Sequence, residues 1–457
     1  MQLQKKIGLI EGIALVTGGV IGMGIYVMIA SVAEKSGSSI WLSITLALLI
    51  SLAGVVPLMQ ISSALPVAGG GYFYCSRLLH PLVGTLVSYW AVLGGAASTC
   101  VVSVGLSDYL LSIFNLNVSS LLLAGFIIVA FYILYLFGLK LVAWLQIIMS
   151  AQLVIALLIY IAGVGMQAKP VIGLSMPHGV GGLIMAVILS FNICLGFQII
   201  TEMGEEMRDA RKNIPLSLLL GGLTVLVIYV GIGVTYLGAV GERVTEFSDS
   251  EIVKAPLIES ARNFLPPWVI IFLGVGAVSA ALTSLNAAAI TLPRELYAQA
   301  RDGIIPRFFE KINPATNNPV RAVTFFFMIV ALLLVTGAFI ETKNIIDFYG
   351  YTAACGVMML TIFVSIASLR IKKVFPKQYE SAYFRVSTPW LMVFVLISVA
   401  SSLGLVALLF LESKVIFFIY LTFTIFIGIY YFLRKKWMDE KKLPMGNAFQ
   451  IANSDSV

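Results

Sequence analysis

Charge is what this 457-residue chain has least of: 29 Lys and Arg and 22 Asp and Glu make up only 11% of it. A water-soluble domain carries roughly 25%, so the shortage excludes an ordinary cytosolic enzyme, a disordered segment and a nucleic-acid-binding module. Histidine occurs twice, and the four cysteines, Cys75, Cys100, Cys194 and Cys355, have neither paired nor metal-like spacing. Neither a disulfide framework nor a zinc site is expected, and no cofactor is. A cleavable signal peptide is not expected either, because Met1 to Lys6 leads straight into an apolar stretch too long for an h-region and without an A-x-A-like end. What fills the chain is apolar sequence: 60% of residues are hydrophobic and the mean hydropathy is +1.00. Soluble folding at this length buries less than that, so the chain reads as an integral membrane protein.

A helix needs about 20 mainly apolar residues to cross a hydrocarbon core of about 30 Å. Twelve such runs are read, at roughly 8–33, 40–64, 82–111, 119–137, 142–166, 182–202, 214–240, 267–292, 322–340, 345–368, 389–411 and 415–432. Barrel strands need only about 9–11 residues and alternate polar with apolar, so every run is expected to be helical and the fold all-α. An even count places both termini on one side. That side receives 22 of the Lys and Arg residues and the other side 7, which by the positive-inside rule makes residues 1–7 and the tail 433–457 cytoplasmic. The pI of 9.1 then calls for no anionic ligand. Too little chain is left for the soluble domain of a receptor or a membrane-bound kinase.

The first run contains Gly18, Gly19, Gly22 and Gly24 within seven residues. Each glycine weakens a helix by about 1 kcal/mol relative to Ala and leaves room for a ligand to approach the backbone. Gly18 and Gly22, four apart, also fit a small-xxx-small packing face. The sixth run carries Asn192 and Gln198 near its middle, around Cys194, Leu195 and Gly196, where polar side chains serve either as interhelical glue or as part of a site. Runs one and six are corresponding members of two five-helix sets, 1–5 and 6–10. Interrupted segments in corresponding positions point to a transporter site between inverted repeats. Unwinding there exposes N–H groups that hold a carboxylate and C=O groups that hold an ammonium, so a zwitterionic amino acid fits both. Met23, Phe191, Asn192, Cys194 and Leu195 would give it a mostly neutral wall.

Four stretches, Gly18 to Tyr26 (GGVIGMGIY), Pro66 to Tyr74 (PVAGGGYFY), Gly196 to Pro215 (GFQIITEMGEEMRDARKNIP) and Ser279 to Pro319 (with SLNAAA, RDGIIP and NNP), follow one another in order. Together they resemble the amino acid permeases of the amino acid–polyamine–organocation (APC) superfamily, over roughly residues 7 to 435. The resemblance implies twelve transmembrane helices in the five-plus-five inverted-repeat (LeuT-like) fold, with discontinuous helices 1 and 6. The first repeat would be 8–166, the second 182–368, and two accessory helices would lie in 389–432. It also implies alternating access around a substrate whose carboxylate meets the backbone of Ile21, Gly22, Met23 and Gly24. The ammonium would meet carbonyls near Val20 and from Phe191 through Asn192, Ile193 and Cys194, with Leu195 and Gly196 completing the site. Several positions depart from the family pattern. Met23 replaces a small Ser, Asn192 stands where a gating aromatic is common with Phe191 one residue early, and Gln198 stands where many relatives have Glu or Asn. Leu153 occupies the position at which some members carry a Lys in helix 5. Thr283 and Ser284 would supply hydroxyls to a sodium site in an alternative coupling, and are equally common as membrane-helix glue.

These departures lead to an expected exchanger of small neutral L-amino acids. A proton-coupled symporter and an antiporter of polyamines or cationic amines are the alternatives; the latter should carry a carboxylate near midplane, and none is read in runs 1, 3, 6, 8 or 10. A channel is disfavoured because no ring of charges or carbonyl filter is read, and an enzyme because no nucleophile, base or metal ligands converge. Among ionisable residues in the runs, Glu11 and Glu202 lie toward the cytoplasmic ends and would either pair with Lys5, Lys6 or Arg208 as an inner latch or sit solvated. Asp108 also lies toward a run end, and His80 and His178 read as surface loop residues. Cys194 reads as a small wall residue. Residues Ser248 to Phe264 are expected to form an amphipathic helix over the vestibule. The expected partners are an amino acid and the bilayer of a plasma (inner) membrane, with no nucleic acid and no obligate protein partner.

Overall fold

The computed structural model describes residues 7–67, 69–114, 117–136, 143–194, 196–197, 199–202, 204, 207–249, 253–313, 319–337, 339 and 345–441. These residues are helical with connecting turns, and no strand occurs among them. The first half contains α1 (Leu9–Val20), α2 (Met23–Ser36), α3 (Ile40–Ala64), α4 (Gly70–Leu78), α5 (Pro81–Phe114), α6 (Ser120–Leu136), α7 (Ala143–Gly165), α8 (Gly179–Ile193) and α9 (Ile199–Glu202). The second contains α10 (Ala210–Val240), α11 (Val244–Ser248), α12 (Pro256–Ala261), α13 (Pro267–Arg301), α14 (Val320–Gly337) and α15 (Ile345–Ser368). The short α16 (Ile371–Val374) and α17 (Pro376–Glu380) then lead into α18 (Thr388–Glu412) and α19 (Lys414–Glu440).

Among the described residues, nine helical stretches are long and apolar enough to cross a membrane, the first of which, Leu9–Ala64, contains α1 to α3. Two further apolar helices, α6 and α8, are shorter, at 17 and 15 residues. Each expected run falls on one of these elements. α8 is short for a local reason: the chain leaves helical geometry at Cys194 and resumes it only at Ile199. The chain is therefore a polytopic all-helical membrane protein.

Burial separates centre from rim. The apolar window of α5 is 89% buried and that of α15 is 72%, whereas α18 and α19 bury only 33% and 22% of theirs. The outer faces carry exposed Leu122, Phe126, Leu332, Leu396 and Leu411, side chains that only lipid would favourably cover. Since lipid tails are as apolar as leucine, hydrogen bonds and close packing must dock the rim helices. The Trp90 Nε1–H of α5 donates to Thr424 Oγ1 at 2.8 Å, and the Tyr420 hydroxyl of α19 donates to the Thr352 carbonyl of α15 at 2.7 Å.

The expected amphipathic helix over 248–264 is not continuous. α11 ends at Ser248, residues 250–252 lie outside the described set, and α12 covers only Pro256–Ala261. Pro256 suits the first turn of a helix, where its missing N–H costs nothing, and so starts a new one. Leu257, Ile258 and Ala261 are buried, and Ser260 Oγ lies 2.8 Å from the Tyr160 hydroxyl of α7.

Candidate substrate site at the helix breaks

The α1 helix stops at Val20 because Ile21 (φ −77°, ψ 78°) and Gly22 (φ −105°, ψ −166°) leave helical geometry, and α2 restarts at Met23. The Gly22 N–H turns back to the Val20 carbonyl at 2.8 Å. The first N–H groups of α2 have no acceptor within their own helix, and they form the positive end of its dipole. A side chain at Gly22 would collide with the Ser284 hydroxyl of α13, so the glycine is required by close approach. The second break mirrors the first. α8 ends at Ile193, Cys194 turns with its N–H 3.0 Å from the Phe191 carbonyl, and Gly196 adopts φ +124°. A Cβ at Gly196 would stand 2.5 Å from the Gly19 carbonyl, which presses one break directly against the other.

Tyr229 of α10 joins the two breaks. Its hydroxyl, fully buried, lies 2.7 Å from the Val20 carbonyl and 3.0 Å from the Ile193 carbonyl, so its single proton is shared between two oxygens that helix breakage has freed. Asn192 is similarly committed, since its Nδ2 donates to the Gly350 carbonyl of α15 at 3.1 Å.

A cavity of about 140 Å³ lies against both breaks. Of the residues expected at the site, Val20, Gly22, Met23, Gly24, Asn192, Ile193 and Gly196 line it, and so does Ser284. Phe191 and Cys194 instead line a separate cavity of about 30 Å³ with Ser51 and Val357. Ile21 is fully buried beside the break. Leu195 and Gln198 lie outside the described residues, as do Lys5 and Lys6 and the side chain of Glu202. Thr283 does not line the cavity; its hydroxyl donates to the Ala280 carbonyl at 3.0 Å within its own helix. Glu11 caps its own helix, with Oε2 accepting from the Gly8 N–H at 3.1 Å. Arg208 meets the N-terminal segment through its backbone, its N–H donating to the Ile7 carbonyl at 2.8 Å. Leu153 is fully buried on α7, and Asp108 is buried on α5.

Three features went unread in the sequence. One is Tyr229, a lone tyrosine in an apolar run. Another is the polar wall that α5 supplies through Ser98 and Thr99. The third is a carboxylate beyond the eighth run: Glu295 of α13, about 16 Å along the helix from Ser284 at 1.5 Å per residue, lines the cavity and is 2% exposed. Its Oε2 accepts the Tyr72 N–H of α4 at 3.0 Å. Seven residues further along α13, Asp302 accepts from both the Arg77 guanidinium at 2.8 Å and the Tyr72 hydroxyl at 2.6 Å. Burial, and then the Asp302 charge, push the Tyr72 phenol well above its usual range; burial, and then Glu295, do the same to the Cys75 thiol.

At the C-terminal end of α2, away from the break, charges tie the helix to its neighbours. Lys35 Nζ lies 3.7 Å from Asp347 Oδ2 of α15 and 3.5 Å from Glu34, and His178 Nε2, at the start of α8, lies 3.2 Å from Glu34 Oε1. His178 is an exposed turn residue, as expected, and is an ion-pairing partner of Glu34 when protonated.

A many-helix membrane protein whose interrupted helices converge on one internal cavity is, by class, a transporter. The chain matches the amino acid permease family over residues 7–439 and belongs to it, which bears out the resemblance carried by the four stretches. It is 25% identical to a branched-chain amino acid permease of Bacillus subtilis, over 81% of this chain and 82% of that protein. Identity to cationic amino acid transporter 4, vacuolar, of Arabidopsis thaliana is 26%, over 70% of this chain and 56% of that protein. A methylthioribose transporter of Bacillus subtilis is also 26% identical, over 66% of this chain and 69% of that protein. The chain is a permease and not an enzyme.

Proposed function

We propose that the chain carries small neutral L-amino acids across a plasma membrane by alternating access and exchange, with twelve helices in a five-plus-five inverted repeat and both termini cytoplasmic. The observation that carries this reading is the juxtaposition of the two breaks against one cavity. The substrate carboxylate is placed at the N–H groups of Met23 and Gly24, and the ammonium at the carbonyls around Val20 and Ile193, where it competes with the Tyr229 hydroxyl. Beside the breaks the lining is uncharged, apolar at Met23, Val101 and Val102 and hydroxyl-bearing at Ser98, Thr99 and Ser284, which favours a neutral side chain. Exchange is favoured by Leu153, an aliphatic residue where a lysine switch would stand, and by the position of Thr283 outside the cavity lining. The branched-chain permease among the relatives is in keeping with such a substrate.

A second reading, transport of cationic amines, is favoured by Glu295 in the same cavity and by the relatives named as cationic amino acid transporters. Proteoliposome counterflow separates the readings. Uptake of labelled neutral amino acid should saturate, accelerate with the same amino acid inside, and persist when proton and sodium gradients are collapsed. Uptake that disappears with the proton gradient would remove exchange, and acceleration by diamines alone would remove the neutral substrate.

A further inference from the structure

The cavity continues well beyond the breaks. Along α13 it is lined by Ser284, Ala288, Thr291, Leu292 and Glu295, which share one helix face. From Ser284 to Glu295 is 295 − 284 = 11 residues, or about 16 Å at 1.5 Å per residue. The α5 wall runs the same length, from Val102 to Ala91. One end of this elongated space offers backbone N–H and C=O groups. The other offers a carboxylate, which is the only ionisable side chain in the lining among the described residues.

Distance decides what that carboxylate can meet. With bonds near 1.5 Å, the terminal nitrogen of an extended lysine side chain reaches about 6 Å from its Cα. A substrate whose carboxylate sits at the α2 N-terminus therefore spans only part of the way to Glu295, whose carboxylate is held at the far end by the Tyr72 N–H. We infer that Glu295 forms a second, inner station of the cavity, for the side-chain ammonium or guanidinium of a cationic substrate that has left the breaks. This rests on the reading that the cavity carries substrate.

The carboxylate also has a structural partner, so occupancy has a mechanical consequence. Glu295 accepts the N–H of Tyr72 in the first turn of α4, where the helix dipole suits an anion. A Cβ at Gly71 would approach Glu295 Oε1 to 2.9 Å, so α4 lies directly against the carboxylate. A cation entering the station competes with that N–H for oxygen lone pairs and loosens α4 at this end. Asp302, engaged by Arg77, holds the other end of α4 and does not line the cavity.

L-Lysine and L-norleucine differ by one ammonium and are suitable probes. Their affinities are measured by thermal shift and calorimetry on the full-length protein in detergent. Glu295→Gln should weaken lysine about tenfold or more, the loss expected for one charge-assisted contact, and leave norleucine within about twofold. Glu295→Asp should keep most of the lysine preference. An unchanged lysine-to-norleucine ratio in Glu295→Gln overturns the inference, and so does a variant that loses only the pH dependence of norleucine uptake, since the carboxylate would then serve a proton. Wild-type protein that binds norleucine but not lysine overturns this inference while leaving the neutral-substrate reading standing; binding of neither overturns both. Should Glu295→Gln not fold, the wild-type protein decides. Lysine, and not norleucine, must slow carbodiimide modification of Glu295 as read by mass spectrometry, and equal protection or none overturns the station.

Discussion

Two residues at the breaks separate a binding role from a packing role. Gly22 packs against the Ser284 hydroxyl with no room for a Cβ. Gly22→Leu should abolish binding of neutral amino acids in calorimetry while size-exclusion chromatography still shows monodisperse protein; unchanged affinity would remove the first break from the site. Tyr229→Phe keeps the ring and deletes only the proton shared by the Val20 and Ile193 carbonyls. One net hydrogen bond contributes about 1 kcal/mol, or about fivefold in an equilibrium constant. Because a substrate ammonium competes for the same carbonyls, the variant should lose thermal stability without ligand and recover part of it when substrate is present. A variant equally destabilised in both conditions would make Tyr229 a packing residue alone. Cys75 gives a chemical check on the carboxylate next to it. Its thiol is pushed well above the usual range by burial and then by Glu295, and the thiolate is the reactive form. Maleimide labelling of native protein near neutral pH should therefore leave Cys75 unmodified by mass spectrometry.

At the scale of elements, α4 matters more than its nine residues suggest. It is fixed to α13 by Glu295 near its start and by Asp302 through Arg77 near its end, and the Arg77 and Asp302 side chains are 10% and 1% exposed. Removing one partner of such a buried pair leaves the other charge uncompensated, at a cost of about 3–5 kcal/mol. Arg77→Ala and Asp302→Asn should each lower the melting temperature markedly, and the double variant should cost much less than their sum. Simple additivity would mean that the pair is not coupled. The helices themselves were legible in the sequence, since an apolar run that long has no other way to satisfy its backbone in lipid. Both breaks were legible too, from Gly22 and Gly24 in one run and Asn192 and Gly196 in the other. What could not be read was where α13 stops. Pro293, Arg294 and Glu295 look like the start of a loop because hydropathy treats charge as water-seeking, whereas α13 continues to Arg301 and Glu295 finds its donor on α4. That partner lies 223 residues away in the chain, and local pattern carries no information about it. Tyr229 was hidden for the same reason, as its acceptors lie on α1 and α8.

For the molecule as a whole, charged ties stand at the cavity's Glu295 end and, separately, at the C-terminal end of α2. Glu295 and Asp302 hold α4 at the first, and Lys35, Asp347, Glu34 and His178 join α2, α8 and α15 at the second. In the alternating access proposed above, one set of ties would part while the other holds, so their relative strengths would set the populations of the two open states. The two sets differ in burial. Arg77 with Asp302 is nearly excluded from water, whereas Lys35 and Asp347 keep 25% and 14% of their side-chain surface and stand 3.7 Å apart. The Lys35–Asp347 contact is longer and less buried than Arg77 with Asp302, so it is the weaker tie, and a difference of about 1 kcal/mol shifts a two-state equilibrium about fivefold. Lys35→Ala should therefore move population toward the state open at the α2 end, with a smaller loss of melting temperature than Arg77→Ala. Pulsed electron paramagnetic resonance between spin labels on the outer ends of α2 and α10 reads this directly, as growth of a longer-distance peak that substrate reduces. An unchanged distance distribution in Lys35→Ala would mean that this end is held by packing and by other polar contacts such as the Asn192 bond to the Gly350 carbonyl between α8 and α15.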